Sequence, residues 1–317
     1  MRYALMTEPQ QGLSYDEILA LARTAEEAGL EAFFRSDHYA SFPGEAGLPT
    51  TDAWATLAGL ARETKTIRLG TLVSPVTFRI PGNLAKLIQT ADEMSDGRIE
   101  AGFGAGWNDE EHTQLGIPFP ALAERFDMLA EELALIHGLW TEEDGWSFDG
   151  KYWQVRDAKR HGQIARGGRR HPHIILGGKG MPRLAELVAR YGDEFNLLSA
   201  SPDAAPAAYG RVRAACQQVG RDPDEIVYSA MTGVLVAETE VDLLARVNDL
   251  MQALGQSASD GETWLAERRG RWIMGTPDEA RERAAALEMQ GTQRIMLQDF
   301  VPRDLDHVRL MGRIFAS

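Results

Sequence analysis

The sequence predicts a single (β/α)8 barrel with insertions that spans residues 1–317. Three observations lead to this fold class. Short apolar runs alternate eight times with longer amphipathic segments, which is typical of a parallel sheet flanked by helices. The length of 317 residues accommodates eight strand–helix units with insertions. No internal repeat or low-complexity segment indicates a different architecture. An open, doubly wound sheet is the alternative fold.

The predicted strands are the short apolar runs, and at least one predicted helix follows each of them. The strands cover residues 3–6, 32–35, 67–73, 99–102, 174–176, 195–198, 227–236 and 295–297. The helices cover residues 14–29, 52–63, 81–97, 121–140, a segment ending near 191, 203–219, 240–254, a segment beginning at 276, and 304–315. Ser14 and Glu17 are spaced as a capping box, and Pro277 stands at the first position of its helix. Two excursions, at about 141–172 and 255–272, are expected to cover the barrel mouth.

Composition excludes several classes of protein. Hydrophobic residues make up 44% of the chain and charged residues 25%, which is ordinary for a globular protein. The single cysteine, Cys216, excludes an intrachain disulfide and any multi-cysteine metal site. A net charge of −14 makes nucleic acid a poor partner. No apolar run approaches 18 residues and no leader pattern is present, so we expect a cytoplasmic protein without a membrane segment.

The first candidate site residues follow the second predicted strand. In a barrel of this class, functional side chains lie just past the carboxyl ends of the strands. Asp37 and His38 stand there, and an aspartate beside a histidine can orient the imidazole for proton transfer. We therefore predict that His38 and Asp37 are catalytic. The alternative is an ordinary turn in which polar side chains cap local amides.

A glycine-rich loop follows the fourth predicted strand, at 102–112, and three carboxylates come directly after its glycines. Those carboxylates would repel a pyrophosphate, so the loop is expected to face a ring or a substrate. Gly104 and Gly106 would let the backbone approach a planar group. Trp107 and Glu110 are expected to line a substrate pocket, with Asn108 offering donors and an acceptor. The alternative is a glycine loop followed by an acidic helix start.

A candidate phosphate site lies at 176–180, directly before a helix. Glycines, free amides at a helix start and one cation, Lys179, are the donors that bind phosphate. An ordinary strand-to-helix turn is the alternative. A basic stretch precedes this turn and carries a local charge of 6 − 1 = +5. Its charged residues are Arg156, Asp157, Lys159, Arg160, Arg166, Arg169 and Arg170. It is either a solvated loop or a landing site for an acidic ligand.

Metal and hydrolase chemistry receive little support from the sequence. His38, His112 and the carboxylates after the glycine loop could supply ligands, but no closely spaced histidine pair follows a strand. Neither a G-x-S-x-G elbow nor a P-loop occurs. We predict no metal site.

Taken together, the motifs resemble a known family. The motifs that carry the resemblance are Ser36–His38, the strand 67–73, the loop 102–112 with 115–120 and 124–126, the turn 173–180, and 275–277. The chain is similar over nearly its full length to the bacterial luciferase-like flavin oxidoreductases, and within them to the branch that uses the deazaflavin coenzyme F420.

This resemblance implies an enzyme that transfers a hydride between F420 and a small organic substrate, with FMN as the alternative cofactor. It places His38 near the hydride-carrying edge of the ring and makes Leu72–Val73 a non-proline cis peptide behind that ring. The implied cofactor contacts are Ser36, Leu72, Val73, Gly104, Gly106, Asn108, Leu176, Gly177, Gly178 and Lys179. A homodimer is also expected.

The chain departs from the sugar-phosphate dehydrogenases of this branch at Trp107, which replaces a catalytic glutamate. No substrate-phosphate cluster follows the seventh strand. Three other hypotheses stay open: an FMN-dependent monooxygenase, a metal-dependent barrel hydrolase, and a cofactor-binding protein without catalysis.

Overall fold

The computed structural model describes residues 1–42, 44–159, 170–253 and 261–316. The strands in these ranges are β1 (Arg2–Thr7), β2 (Ala32–Arg35), β3 (Arg68–Thr71), β4 (Ser74–Pro75), β5 (Ile99–Gly104), β6 (Trp146–Asp149), β7 (Gln154–Ala158), β8 (His173–Gly178), β9 (Glu194–Leu197), β10 (Val227–Val236), β11 (Ile273–Gly275) and β12 (Arg294–Asp299). The helices are α1 (Tyr15–Glu27), α2 (Ala53–Glu63), α3 (Pro81–Met94), α4 (Asp109–Leu115), α5 (Leu122–Thr141), α6 (Pro182–Tyr191), α7 (Ala205–Gln218), α8 (Glu240–Ala253), α9 (Gly261–Arg269), α10 (Pro277–Glu288) and α11 (Leu305–Phe315).

Eight parallel strands close into a barrel, as the alternation predicts. Their order is β1, β2, β3, β5, β8, β9, β10 and β12, and β12 pairs with β1. Each barrel strand coincides with a predicted apolar run. The prediction missed β11, whose three residues are too few to show periodicity. It pairs with the last three residues of β10.

Local signals set the element ends. Ser14 and Glu17 form the predicted capping box at the start of α1. Strand β3 ends at Thr71, earlier than predicted, because the chain leaves the sheet at Leu72–Val73. No helix among the described residues is long and apolar enough to cross a membrane.

The first excursion is an antiparallel hairpin, β6–β7. Trp146 of this hairpin lies over Gly138, where a Cβ atom would come within 2.2 Å of the indole. Helix α5 starts beside the mouth, because Arg125 in its first turn donates to the carbonyl of Ala105. Gly138 lies near the other end of α5, so the hairpin packs against the end of this helix that is far from the mouth. The expectation that this excursion covers the mouth is therefore wrong for residues 141–159. Residues 160–169 lie outside the described ranges.

The second excursion contains a helix, α9, that the sequence analysis did not predict. Trp264 and Leu265 of α9 pack with Leu243 and Val247 of α8 in a small separate core. This core lies beside the carboxyl end of β10, since Leu235 belongs to it. Residues 254–260 lie outside the described ranges.

Alternate residues of the strands face the barrel interior. Around the middle of the barrel these are apolar, and they include Met6, Phe34, Ile175, Met231 and Met296. Below them, toward the amino ends of the strands, lies a layer of buried charges, and above them lies the mouth. The interior therefore separates two polar regions with an apolar layer.

The lower charged layer is centred on Arg294. Its guanidinium lies 2.6 Å from Glu100 Oε2 and 3.2 Å from Glu194 Oε2, and all three side chains are at most 3% exposed. His173 Nε2 lies 3.1 Å from Glu194. Burial alone would raise the pKa of Glu100. The positive charges of Arg294, His173 and Arg68 lower this pKa by more than burial raises it, so the net pKa shift is downward.

Candidate functional site

His38 stands at the mouth of the barrel, just past the end of β2. Its Nδ1 lies 2.9 Å from Glu111 Oε1, and the Glu111 carboxylate is 1% exposed. The second oxygen of Glu111 accepts from the backbone N–H of Tyr39 at 2.8 Å. Glu111 thus fixes both the imidazole and the turn that carries it. A carboxylate facing Nδ1 favours the tautomer with a proton on that nitrogen.

Sequence reasoning missed Glu111 and assigned its role to Asp37. The Asp37 carboxylate accepts from Ser74 Oγ at 2.7 Å and is paired with Arg79 through both oxygens. The Asp37 carboxylate is therefore directed to Ser74 and Arg79 and not to the imidazole of His38. The prediction that Asp37 orients His38 is therefore wrong.

Arg79 organises the outer wall behind this turn. It also pairs with Asp52 and donates to the hydroxyl of Tyr39 at 2.8 Å. Burial lowers the pKa of Arg79, but Asp37, Tyr39 and Asp52 raise it more, so the net pKa shift is upward. Asp37 therefore has a structural role: it anchors the turn after β2 to Ser74 and to Arg79, which lies just before α3.

Ser36 belongs to a polar rim that crosses three strands. Its hydroxyl donates to Gln10 Oε1 at 2.6 Å, and Gln10 Nε2 donates to Glu8 Oε2 at 2.8 Å. Gln298 of β12 donates to the other oxygen of Glu8 at 2.6 Å. The sequence signal for Glu8 and Gln10 was their place directly after β1, equivalent to that of Ser36 after β2.

The Leu72–Val73 peptide is cis, as the resemblance implies. The Val73 side chain fills space that glycines leave open on the neighbouring strands. A Cβ atom on Gly104 would lie 2.6 Å from Val73 Cγ2, and one on Gly177 would lie 2.9 Å from Val73 Cγ1. The missing side chains of these two glycines therefore accommodate Val73, whereas the sequence interpretation assigned that space to a ligand.

Two aromatic rings, Phe42 and Trp107, meet beside His38. Phe42 lies edge-on to His38 at 4.6 Å between ring centroids, and Trp107 lies 5.6 Å from His38 and 5.2 Å from Phe42. Trp107 is 66% exposed and follows Gly106, whose φ of +76° favours glycine. Glu110, expected in the same pocket, is exposed and accepts from Gln114 at 3.0 Å.

Asn108 and His112 support the start of α4. Asn108 Oδ1 caps the helix by accepting from the N–H of Glu110, and its carbonyl lies 2.6 Å from His112 Nδ1. His112 Nε2 lies 2.6 Å from Thr77 Oγ1. Both ring nitrogens of His112 thus have protein partners, which makes it a poor candidate metal ligand.

Among the described residues, one group of three side chains, Glu100, His173 and Glu194, is close enough to hold a metal ion. The guanidinium of Arg294 already bridges the two carboxylates, so we assign no metal to this group. It also lies at the end of the barrel away from the mouth.

The turn at 176–180 has the donors that a phosphate requires. Lys179 is exposed, and no side chain of the described residues caps the first amides of α6. Arg211 braces the turn by donating to the carbonyl of Gly180 at 2.6 Å. Leu176 is buried in β8.

The basic stretch contributes less free charge than its sequence indicates. Arg156 pairs with Asp149 at 3.0 Å and Lys159 pairs with Asp157 at 2.8 Å, both within the hairpin. Arg160, Arg166 and Arg169 lie outside the described residues.

Comparison with known proteins places this geometry in context. The sequence profile of a family described as luciferase-like monooxygenase matches residues 1–295. An F420-dependent glucose-6-phosphate dehydrogenase of Amycolatopsis mediterranei is 33% identical over 181 residues, which are 56% of this chain and 52% of that protein. The chain thus matches about half the length of such curated relatives.

Two solved structures have closely similar folds. An F420-dependent secondary alcohol dehydrogenase in complex with an F420–acetone adduct has a TM-score of 0.80 at 18% identity, covering 99% of this chain and 98% of that chain. The monooxygenase RslO1 from Streptomyces bottropensis has a TM-score of 0.77 at 25% identity, covering 100% of this chain and 98% of that chain.

Proposed function

The chain belongs to the luciferase-like monooxygenase family, and on that premise we propose that it is an F420-dependent oxidoreductase. The observation that carries the proposal is the His38–Glu111 pair at the barrel mouth, in a chain whose curated relatives include F420-dependent dehydrogenases. The proposed partner is a small organic molecule that exchanges a hydride with the deazaflavin.

The residues at the mouth fit such a cofactor. The uncapped amides of α6, Gly178 and Lys179 are suitable donors for its phosphate. Leu72 and Val73 would form the backing of the ring at the centre of the mouth. The bound deazaflavin supplies the hydride chemistry, and the protein supplies position and proton transfer.

His38 is the proposed proton carrier. With Nδ1 held by Glu111, proton exchange falls to Nε2. In the reduction of a carbonyl, His38 Nε2 would donate a proton to the oxygen, while the bound deazaflavin would supply the hydride to the carbon. In the reverse direction, Nε2 would accept the hydroxyl proton and the oxidised cofactor would take the hydride. Glu111 stabilises the positively charged ring that this step requires.

A cofactor titration tests the proposal. The purified chain is titrated with F420 and with FMN under the same conditions, and binding is followed by fluorescence. We expect tighter binding of F420. Tighter binding of FMN would overturn the proposal.

An FMN-dependent monooxygenase is the second candidate. The likeness to RslO1 over the whole chain favours it. Oxygen consumption that depends on reduced FMN, together with preferential FMN binding, would support this candidate.

A homodimer also stays a proposal, carried by the family resemblance. Sedimentation of the purified chain at several concentrations tests it, and a monomer throughout would contradict it.

A further inference from the structure

Trp272 lies over Gly233, near the carboxyl end of β10. Met231 faces the barrel interior, so Gly233, two residues further along, faces the same way. A Cβ atom on Gly233 would lie 2.2 Å from Trp272 Cδ2. The indole therefore occupies the position that a side chain at Gly233 would take.

The indole is held by neighbours on two sides. It stacks on Phe300 with a centroid distance of 5.0 Å and an interplanar angle of 13°. Trp264 of α9 meets it edge-on at 5.4 Å. Thr232 also donates to the carbonyl of Arg271 at 3.1 Å, which ties the adjoining backbone to β10. Trp272 is thus a partly exposed ring that its neighbours hold in place. We refer to Trp272 and Phe300 together as the aromatic wall.

This wall belongs to the same opening as His38. Gly233 lies opposite Gln298 in the register of β10 and β12. Gln298 bonds to Glu8, and the rim continues from Glu8 through Gln10 to Ser36. Strands β12 and β1 separate β10 from β2, so Trp272 and His38 lie on facing sides of the mouth.

Three arginines around this wall are paired within the protein, whereas Arg271, beside the indole, is exposed. Arg246 pairs with Asp304 at 2.6 Å, and Arg303 pairs with Glu17 at 2.7 Å. Arg269 lies beside Glu240 and Glu279. A phosphate on a substrate would have to compete with carboxylates for each of these three guanidinium groups.

We propose that Trp272 and Phe300 select an uncharged substrate with a flat, apolar body. Such a molecule would pack against the exposed part of the Trp272–Phe300 pair while its reacting carbon faces the His38 side of the mouth. The inference rests on the proposed function, because it assigns the substrate class of that same site.

A pair of probes tests the proposal on the purified full chain. We measure calorimetric binding of 2-naphthol and of 2-naphthyl phosphate, with and without F420. We expect 2-naphthol to bind at least about tenfold more tightly than its phosphate ester, because the aromatic body is shared and only the charge differs. Equal or tighter binding of the ester would overturn the proposal and would direct attention to Arg271, an exposed cation beside the indole.

Two Trp272 variants test whether the indole contributes to the binding of 2-naphthol. Trp272→Leu is expected to weaken 2-naphthol binding about tenfold, and Trp272→Phe about threefold or less, because phenylalanine keeps a stacking face. Trp146→Leu, in the distant hairpin, is the matched control and should bind as the wild type does. Thermal melting confirms that each variant is folded.

Unchanged binding in Trp272→Leu would overturn the proposal. If F420 fails to bind while the naphthol results hold, the proposed function falls and the aromatic wall stands. If F420 binds and the naphthol results fail, only the substrate class is wrong.

Discussion

The two ends of the barrel use the same side-chain types for different purposes. At the lower end, Arg294, Glu100 and Glu194 form a buried network of opposite charges. His173 lies beside it, with Nε2 3.1 Å from Glu194 Oε2 and Nδ1 3.9 Å from Asp193 Oδ2. At the mouth, His38 faces a buried carboxylate through Nδ1, and no described residue forms a hydrogen bond with its Nε2. The two side chains are similarly exposed, 19% for His173 and 15% for His38, so a ring nitrogen without a carboxylate partner distinguishes the proposed proton carrier from the structural histidine.

Exchanging each histidine for alanine tests this contrast most strongly. His38→Ala should lower turnover by about 10²- to 10⁴-fold, the usual contribution of a general acid or base, and should change F420 affinity much less. His173→Ala should instead lower the melting temperature and leave turnover per folded molecule near the wild-type value. Unchanged turnover in His38→Ala would remove the proposed proton carrier.

Removing Arg294 tests whether the lower end is structural. Arg294→Met leaves Glu100 and Glu194 buried without the cation that bridges them, so we expect a loss of about 3–5 kcal/mol in the free energy of unfolding. Urea unfolding measures this loss. Arg303→Met breaks an exposed pair and should cost less than about 1 kcal/mol. Similar losses in the two variants would contradict the assignment.

Glu132 extends the comparison to a buried carboxyl group without a paired cation. It is fully buried in α5, and neither oxygen has a hydrogen-bond partner among the described residues. Burial raises its pKa to about 8 in the folded protein, although the charge of Arg79 opposes the shift. The folded state therefore holds a proton that the unfolded chain releases near its ordinary pKa, about 4.3.

The sign of the pH dependence follows from that difference. The stabilising contribution of Glu132 protonation is complete below the unfolded pKa and is lost as the pH rises toward 8. Glu132→Gln should therefore gain stability relative to the wild type, by on the order of 3–4 kcal/mol between pH 5 and pH 8. Urea unfolding at the two pH values measures this gain, and a pH-independent difference would contradict it.

The smallest expected effect distinguishes two neighbouring carboxylates. Glu111→Gln should lower kcat about tenfold with little change in F420 affinity, because the imidazole loses a charged partner. Glu111→Asp should recover part of that loss. Glu110→Gln should have almost no effect, since Glu110 bonds to Gln114. A larger effect at Glu110 would favour the sequence interpretation over the structural one.

The sequence predicted the barrel well because each of its strands is an apolar run at a regular place in the alternation. It also located the turn that carries His38. It did not identify Glu111, because the contact joins residues 73 positions apart and depends on which face of α4 meets the turn. Asp37 was the nearer candidate in sequence, but its carboxylate pairs with Arg79.

Val73 has a consequence for how this part of the molecule tolerates change. Its side chain lies against Gly104 and Gly177, on two different strands, so the three positions form one steric unit. Alanine at Gly104 should be harmful alone but tolerated when Val73 is also trimmed to alanine, a sign-changing epistasis rather than an additive loss. Among related sequences, we therefore expect substitutions at positions 73, 104 and 177 to occur together, and a substitution at only one of them to be rare.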